Sequence, residues 1–258
     1  MLTAFTRGVS PHIAECELTF IDRLAIDFGR AVQQHRQYQE MLRSLGVGVL
    51  QIPADEQCPD SCFLEDTALV LDEVAILTRP GSEARRREVA GVVNAIRKHR
   101  DVLQIEAPAT LEGGDVLRIG RDLFVGVTTR TSREGIEVLR KHVELFGYGV
   151  HPVIVPGALH LKSVCTAVDE QTILADATRV DLSPFSQYEV VQVPAEEWMA
   201  ANALLVNGTV CMHSGFRKTI GTLEQRGIEV RTIDISEFLK AEAGLTCMSL
   251  IFQTPEAS

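Results

Sequence analysis

The stretch "LFVGVTTRTSREGIEVLRKHVELFGYGVHPVIV", residues 123–155, contains the plan of the whole chain. It opens on an apolar run of the length of a buried strand and passes through a polar turn. Then Ile136, Leu139, Val143 and Phe146 recur at intervals of three and four residues, the spacing of one helix face. A second apolar run, "VHPVIV", reads as a returning strand. The unit is therefore strand, turn, helix, strand.

Related units lie on either side. "VAILTRPGSEARRREVAGVVNAI" (74–96) and "TVCMHSGFRKTIGTLEQRGIEVRTIDI" (209–235) repeat the succession, and "TILADATRVDLSPFSQYEVVQVP" (172–194) is a shortened form. "AFTRGVSP" (4–11) begins a further copy. Its helix is predicted from the spacing of Phe28, Ala31, Tyr38, Leu42 and Leu45, and its strand from "VGVLQIP" (47–53). Each copy has an arginine near the turn: Arg7, Arg79, Arg130, Arg179 and Arg217. Their spacing is loose around the ~50 residues that repeat arrays allow. A ring of five α/β units fits this pattern, and so does an open α/β sheet, which alternates without symmetry. No linker or composition shift divides the chain, so residues 1–258 are read as a single domain.

The 258 residues are 45% hydrophobic, enough to build a substantial core, and carry a formal charge of −10. That charge argues against a nucleic-acid or anionic-membrane partner and suits a small cationic ligand in an acidic cleft. No apolar segment approaches the ~18 residues of a membrane span, and no secretory leader is recognisable, so a cytoplasmic location is expected. The six cysteines lack zinc-site or disulfide-scaffold spacing; Cys58 and Cys62 are neighbours without a second pair and read as free thiols.

Four stretches concentrate reactive or costly groups. In "CPDSCFLEDTALVL" (58–71), Asp60, Glu65 and Asp66 crowd around Phe63 before an apolar run, as a solvated loop or as a cation site would. In "APATLEGGDVLRIG" (107–120), Glu112 precedes two glycines, which permit positive φ or close backbone approach; a plain hairpin turn fits as well. "GALHLKSVCTAV" (157–168) sets His160 at the head of a strand, and "AEAGLTCMSLIF" (241–252) places Cys247 in an apolar run. Hydrolysis of a guanidinium would use all four. Carboxylates hold the cation, a thiolate attacks its carbon, and a titratable group protonates the departing amine.

Taken together, "PDSCFLEDTAL", "LTRPGSEARRREV", "TLEGGDVL", "GRDLFVGVTTRTSREG", "LHLKSVCTAV" and "LTCMSL" resemble the dimethylarginine dimethylaminohydrolases of the guanidino-group-modifying superfamily, over about residues 5 to 252. The resemblance implies a five-bladed α/β propeller, the pentein fold. It implies that Cys247 is the nucleophile, that His160 protonates the amine and then activates water against a covalent thiouronium intermediate, and that Glu112 orients and charges His160. It places Asp66 and Glu65 at the guanidinium and Phe63 along the side-chain slot. Arg85 and Arg130 would grip the α-carboxylate, and Asp60 and the Leu18 backbone the α-amine. It implies no cofactor and no metal, and a small guanidino amino acid as partner; a homodimer is compatible with the sequence, which does not fix the oligomeric state.

The implied activity is hydrolysis of asymmetric dimethylarginine and monomethylarginine to citrulline and the methylated amine. The alternatives are a related guanidine hydrolase or arginine deiminase and, in a different class, a non-catalytic propeller acting as a binding module. Lys162 bears on the first of these: superfamily deiminases have an aspartate at this place, so the extra acceptor for an unmethylated guanidinium is absent. Two stretches depart from the family pattern. Glu242, Ala243 and Gly244 stand where paired glycines are common, and "HIAECELTFIDRLAI" (12–26) replaces the expected lid, with only Leu18 and Thr19 familiar.

Overall fold

The computed structural model describes residues 1–254. The chain begins with β1 (Leu2–Arg7), α1 (Phe28–Ser44) and β2 (Gly48–Ile52). Next come β3 (Ala68–Val70), β4 (Val74–Leu77), α2 (Ala90–Ile96) and β5 (Asp101–Gln104), then β6 (Val116–Ile119), β7 (Asp122–Val127), α3 (Arg133–Val143) and β8 (Gly149–Ile154). The fourth unit is β9 (Cys165–Ala167), β10 (Thr172–Ala175) and β11 (Glu189–Gln192). The fifth is β12 (Leu204–Val206), β13 (Thr209–His213), α4 (Arg217–Gln225) and β14 (Val230–Ile233), followed by α5 (Ser236–Leu239) and β15 (Ser249–Gln253).

The strands form five sheets of three strands each. In every sheet the central strand pairs antiparallel with one neighbour and parallel with the other, as β7 does with β6 and β8. The parallel pair needs a crossover, which α1 to α4 supply in four units. In the fourth unit the crossover shrinks to a 3-10 turn, Ser183–Phe185, with Pro184 opening it. The first sheet is closed by the other end of the chain: β15 pairs antiparallel with β1, from Leu2 opposite Gln253 to Thr6 opposite Ser249. This arrangement is the five-bladed α/β propeller that the family resemblance implies, and it decides between the ring and the open sheet that the repeats left open.

The core is correspondingly divided. Five clusters of buried apolar residues fill the spaces within and between the units, for example Leu123, Val125, Ile136, Leu139 and Val143 in one and Leu117, Phe124, Val153 and Phe185 in another. In α1, Ala31, Tyr38 and Leu42 are buried as their spacing predicts, whereas Phe28 at the first position stays exposed. α3 ends at Val143, and Phe146 belongs to a separate 3-10 turn that stops at Gly147 in the left-handed conformation (φ 76°). No helix among the described residues is long and apolar enough to cross a membrane.

Candidate active site

In four units a short 3-10 turn precedes the first strand of the sheet, or, in the permuted first unit, its closing strand. Leu64–Thr67 leads into β3, Gly113–Asp115 into β6, Leu161–Ser163 into β9 and Thr246–Met248 into β15. The first of these turns packs on the second and the last, and the second packs on the third, so they converge from different units. Glu65 and Asp66, Glu112, His160 and Cys247 lie on these turns or at their first flanking residue. In the remaining unit Asn202 follows the turn Ala195–Ala201, just before β12. One structural position, used five times, thus brings together residues spread over most of the chain.

The paired glycines make this convergence possible. A Cβ on Gly113 would lie 1.9 Å from the Glu65 carbonyl oxygen, and one on Gly114 would lie 2.6 Å from His160 Nδ1 and 2.7 Å from Asp66 Oδ1. Neither glycine has a positive φ. Clearance, rather than a hairpin or left-handed backbone, is what this sequence element supplies.

His160 Nε2 lies 2.6 Å from Glu112 Oε2 and 3.7 Å from Asp66 Oδ1. The second Glu112 oxygen accepts the backbone N–H of Gly81 at 3.0 Å, and Asp66 Oδ1 accepts that of Gly114 at 2.9 Å. All three side chains are buried. Burial opposes the charged imidazolium, but Asp66, the hydrogen bond to Glu112 and Asp115 outweigh it and push the His160 pKa up to about 9. Burial likewise opposes ionisation of Asp66, yet His160 and Arg85 bring that carboxyl down to about 2. For Glu112, the hydrogen bond and charge of His160 overcome burial and hold the pKa low. The resting cluster is an imidazolium between two carboxylates.

Asp66, Glu112 and His160 also form a group with potential metal-ligand atoms within 4.8 Å of one another. Their charges are already compensated within the protein, because the imidazolium bridges both acids and Arg85 Nη1 pairs with Asp66 Oδ2 at 2.6 Å. A divalent cation would have to expel the His160 proton and compete with Arg85.

The Cys247 side chain is partly exposed, and its Sγ accepts the Gly244 N–H at 3.4 Å. Desolvation, then Glu65 and Asp66, push its thiol pKa up, so the neutral thiol is the resting form. Leu18, Phe63 and Cys247 share one apolar cluster, and Phe63 packs edge-on against Phe238 at 6.3 Å between ring centroids.

Two of the expected substrate contacts hold charged partners within the protein. Glu65, expected against the guanidinium, meets Lys162 Nζ at 2.6 Å and accepts the Thr246 hydroxyl at 2.7 Å. Asn202 fixes the far side of this network by hydrogen-bonding Thr246 and the Lys162 carbonyl, each at 3.0 Å. Arg85, expected at a substrate carboxylate, is buried. It donates to Asp66 at 2.6 Å, to both Glu88 oxygens at 3.4 and 3.0 Å, and to the Phe63 carbonyl at 3.2 Å. Four of its five N–H groups are committed inside the protein. Asp60 is buried and Arg130 is 12% exposed; both contact Glu17, through its backbone N–H and its carboxylate respectively.

Sequence reasoning missed several supporting residues. Asp115, in the "GGD" element, accepts the Leu161 N–H at 2.9 Å and the Thr128 hydroxyl at 2.7 Å, fixing the turn that carries His160. Burial raises its pKa to about 6. Glu242, noted only as a departure from glycine, takes φ 57° and accepts the backbone N–H groups of Thr19 at 2.8 Å and Phe20 at 3.2 Å. A positive φ is uncommon outside glycine. Here the carboxylate ties the loop around Leu18 to the segment that precedes Cys247.

A family model described as arginine deiminase matches residues 54–183. The N(G),N(G)-dimethylarginine dimethylaminohydrolase of Streptomyces coelicolor is 38% identical over 250 residues, covering 96% of this chain and 95% of that protein. The dimethylarginine dimethylaminohydrolase of Pseudomonas aeruginosa, solved as a cysteine-to-serine variant with citrulline, superposes with a TM-score of 0.93 at 31% identity, over 97% of this chain and 98% of that one. A solved dimethylarginine dimethylaminohydrolase with histidine replaced by glycine, as an adduct with S-methyl-L-thiocitrulline, gives the same TM-score and identity over 97% of this chain and 99% of its own.

Proposed function

The chain belongs to the dimethylarginine dimethylaminohydrolase family, and from that premise we propose that it hydrolyses N-omega-methylated arginines to citrulline and dimethylamine or methylamine. The observation that carries the reading is the buried His160, charged between Glu112 at 2.6 Å and Asp66 at 3.7 Å, with the turn bearing Asp66 packed against the one bearing Cys247.

In this reading the guanidinium is held by Asp66, with Phe63 and Leu18 along the methylene chain. Its positive charge offsets the acids that keep Cys247 protonated, so binding itself favours the thiolate, the thiol proton passing to solvent, from which the released amine later takes one up. Sγ forms a bond to the guanidinium carbon, giving a tetrahedral adduct. His160 delivers its proton to the methylated nitrogen, and the C–N bond breaks to release the amine and leave a thiouronium. The now neutral imidazole takes a proton from water as that water adds to the same carbon. Collapse of the second adduct breaks the C–S bond and passes the hydroxyl proton to the departing sulfur, leaving citrulline, the neutral Cys247 thiol and the charged His160. Glu112 keeps His160 oriented and charged, and Arg85 acts as the charge partner of Asp66.

Arg130 is the candidate for the substrate α-carboxylate, with Asp60 and the Leu18 backbone for the α-amine. Lys162 offers no acceptor to the distal guanidinium nitrogens, which favours a methylated over an unmethylated nitrogen. The proposal includes a cytoplasmic location and a homodimer, tested by cell fractionation and light scattering. Incubation with asymmetric dimethylarginine, monomethylarginine and arginine, with products identified by mass, tests the activity. Citrulline and methylated amines from the first two, lost in Cys247→Ser, are expected; faster ammonia release from arginine would point to a deiminase, and intact substrates throughout to a binding module.

A further inference from the structure

Residue 17 offers an amide N–H and a carboxylate to the two side chains that the proposed function assigns to the head of the substrate. Its backbone N–H donates to both oxygens of Asp60, at 3.3 and 3.2 Å, and its Oε2 lies 3.0 Å from Arg130 Nη1. Its Oε1 accepts the Ser82 hydroxyl at 2.6 Å. Among the described residues Glu17 is the hydrogen-bond acceptor of the Arg130 side chain, the next acid being Glu112 at 3.7 Å. Arg85 is already engaged by Asp66, Glu88 and Phe63, which take four of its five N–H groups.

The two receiving groups are more deeply buried than Glu17. Asp60 is 6% exposed, and the Arg130 side chain 12% exposed, whereas the Glu17 side chain is 35% exposed. It stands on the irregular segment between the turn Ile13–Glu15 and α1. Glu242 holds the same segment two and three residues further on, at Thr19 and Phe20. The loop can therefore release Glu17 while staying tethered beside Cys247.

We infer that Glu17 is an internal stand-in for the amino-acid head group and sets the specificity of this end of the site. The inference rests on the proposed assignment of Asp60 and Arg130. An incoming α-carboxylate must displace the Glu17 carboxylate from Arg130, against a like charge, and an α-ammonium must displace its N–H from Asp60. A guanidine without a carboxylate meets no competitor at Arg130. Glu17 thus lowers affinity for amino-acid ligands relative to simple guanidines, and a strong head group is required to open the site.

The test compares the full chain with Glu17→Ala and Glu17→Gln. Citrulline Kd is measured by calorimetry, and kcat and KM for asymmetric dimethylarginine and for N,N-dimethylguanidine. In Glu17→Ala, Kd and KM for the amino acids should fall about tenfold, equivalent to about 1.4 kcal/mol, with kcat changing far less. Glu17→Gln, which can keep the Ser82 contact but loses the charge, should fall between. Constants for dimethylguanidine should move by less than about twofold. Unchanged or weaker citrulline binding in a Glu17→Ala protein of wild-type circular dichroism would overturn the inference, as would an equal gain for both ligand types. Absence of methylarginine turnover by the wild-type chain would refute the proposed function instead. In that case citrulline, arginine and ornithine binding decide: tightening of any of them in Glu17→Ala sustains the inference, and no change in all three overturns it.

Discussion

Replacing Lys162 with methionine isolates the ion pair beneath Cys247. The side chains of Lys162 and Glu65 are 15% and 8% exposed, and their charged atoms are 2.6 Å apart. Breaking one partner of a buried pair typically costs about 3–5 kcal/mol, because the other charge is left uncompensated. Two features place this pair at the lower end: Lys162 retains some solvent access, and Glu65 keeps its hydrogen bond from Thr246. With an unfolding entropy of about 2 cal/mol/K per residue, a chain of this size loses about 2 °C of Tm per kcal/mol, so a fall of about 6 °C is expected at pH 7.5. Without Lys162, burial and Asp66 both push the Glu65 carboxyl up. A group whose folded pKa lies above its unfolded value stabilises below the unfolded value and loses that contribution as pH rises through the folded one. The Tm deficit should therefore shrink as the pH is lowered from about 8 towards about 5. The double variant Lys162→Met with Glu65→Gln should recover most of the loss, since it leaves no unpaired charge. Calorimetric scans of the wild type, the single variant and the double variant at both pH values measure this. A single variant with wild-type Tm, or a double variant no better than the single, would refute the assignment of a buried, mutually compensating pair.

Several further outcomes follow from the same electrostatics. The rate kcat/KM should decline as pH rises through about 9, where His160 loses its proton, and Glu112→Gln should move that limb to lower pH; a limb that stays in place would contradict the pairing. Because the folded pKa of His160 is raised above its ordinary ~6.5, its contribution to stability is complete below that value and lost on rising through about 9, so the wild-type Tm should fall across this window and that of Glu112→Gln much less. Cys247 should react slowly with neutral iodoacetamide at pH 7.5, and faster with an alkylating agent that bears an amidinium, which offsets Glu65 and Asp66; equal rates after correction for intrinsic reactivity would argue against that field. Gly114→Ala places a methyl 2.6 Å from His160 Nδ1, and should lower kcat by at least about a hundredfold with the fold retained; activity near wild type would show that the imidazole can be displaced without consequence.

The repeated unit was legible in residues 123–155, because the apolar spacings of strands and helices are imposed by local backbone geometry. The shortened fourth copy was visible for the same reason, with Pro184 standing where a helix would otherwise run. The chemical identities of Cys247, His160, Glu112 and Asp66 could also be singled out, since few residue types serve guanidinium hydrolysis. What the sequence could not settle was which groups face one another. The paired glycines suit close backbone approach or a plain hairpin turn in the sequence, and only the packed chain has the Gly113–Asp115 turn passing the Glu65 carbonyl and the His160 ring. Glu65, expected at the guanidinium, also meets Lys162 and Thr246, the latter 181 residues away, partners that only closure of the ring supplies. Arg85, expected at a substrate carboxylate, also meets Asp66 and Glu88, which the folding of its own unit sets against it. Glu17 carried no local signal at all, for its partner Arg130 lies 113 residues on. Periodicity reports the backbone of each unit, whereas the partners of a buried charge are chosen by desolvation, which penalises any arrangement that leaves it alone and acts only after distant segments have met.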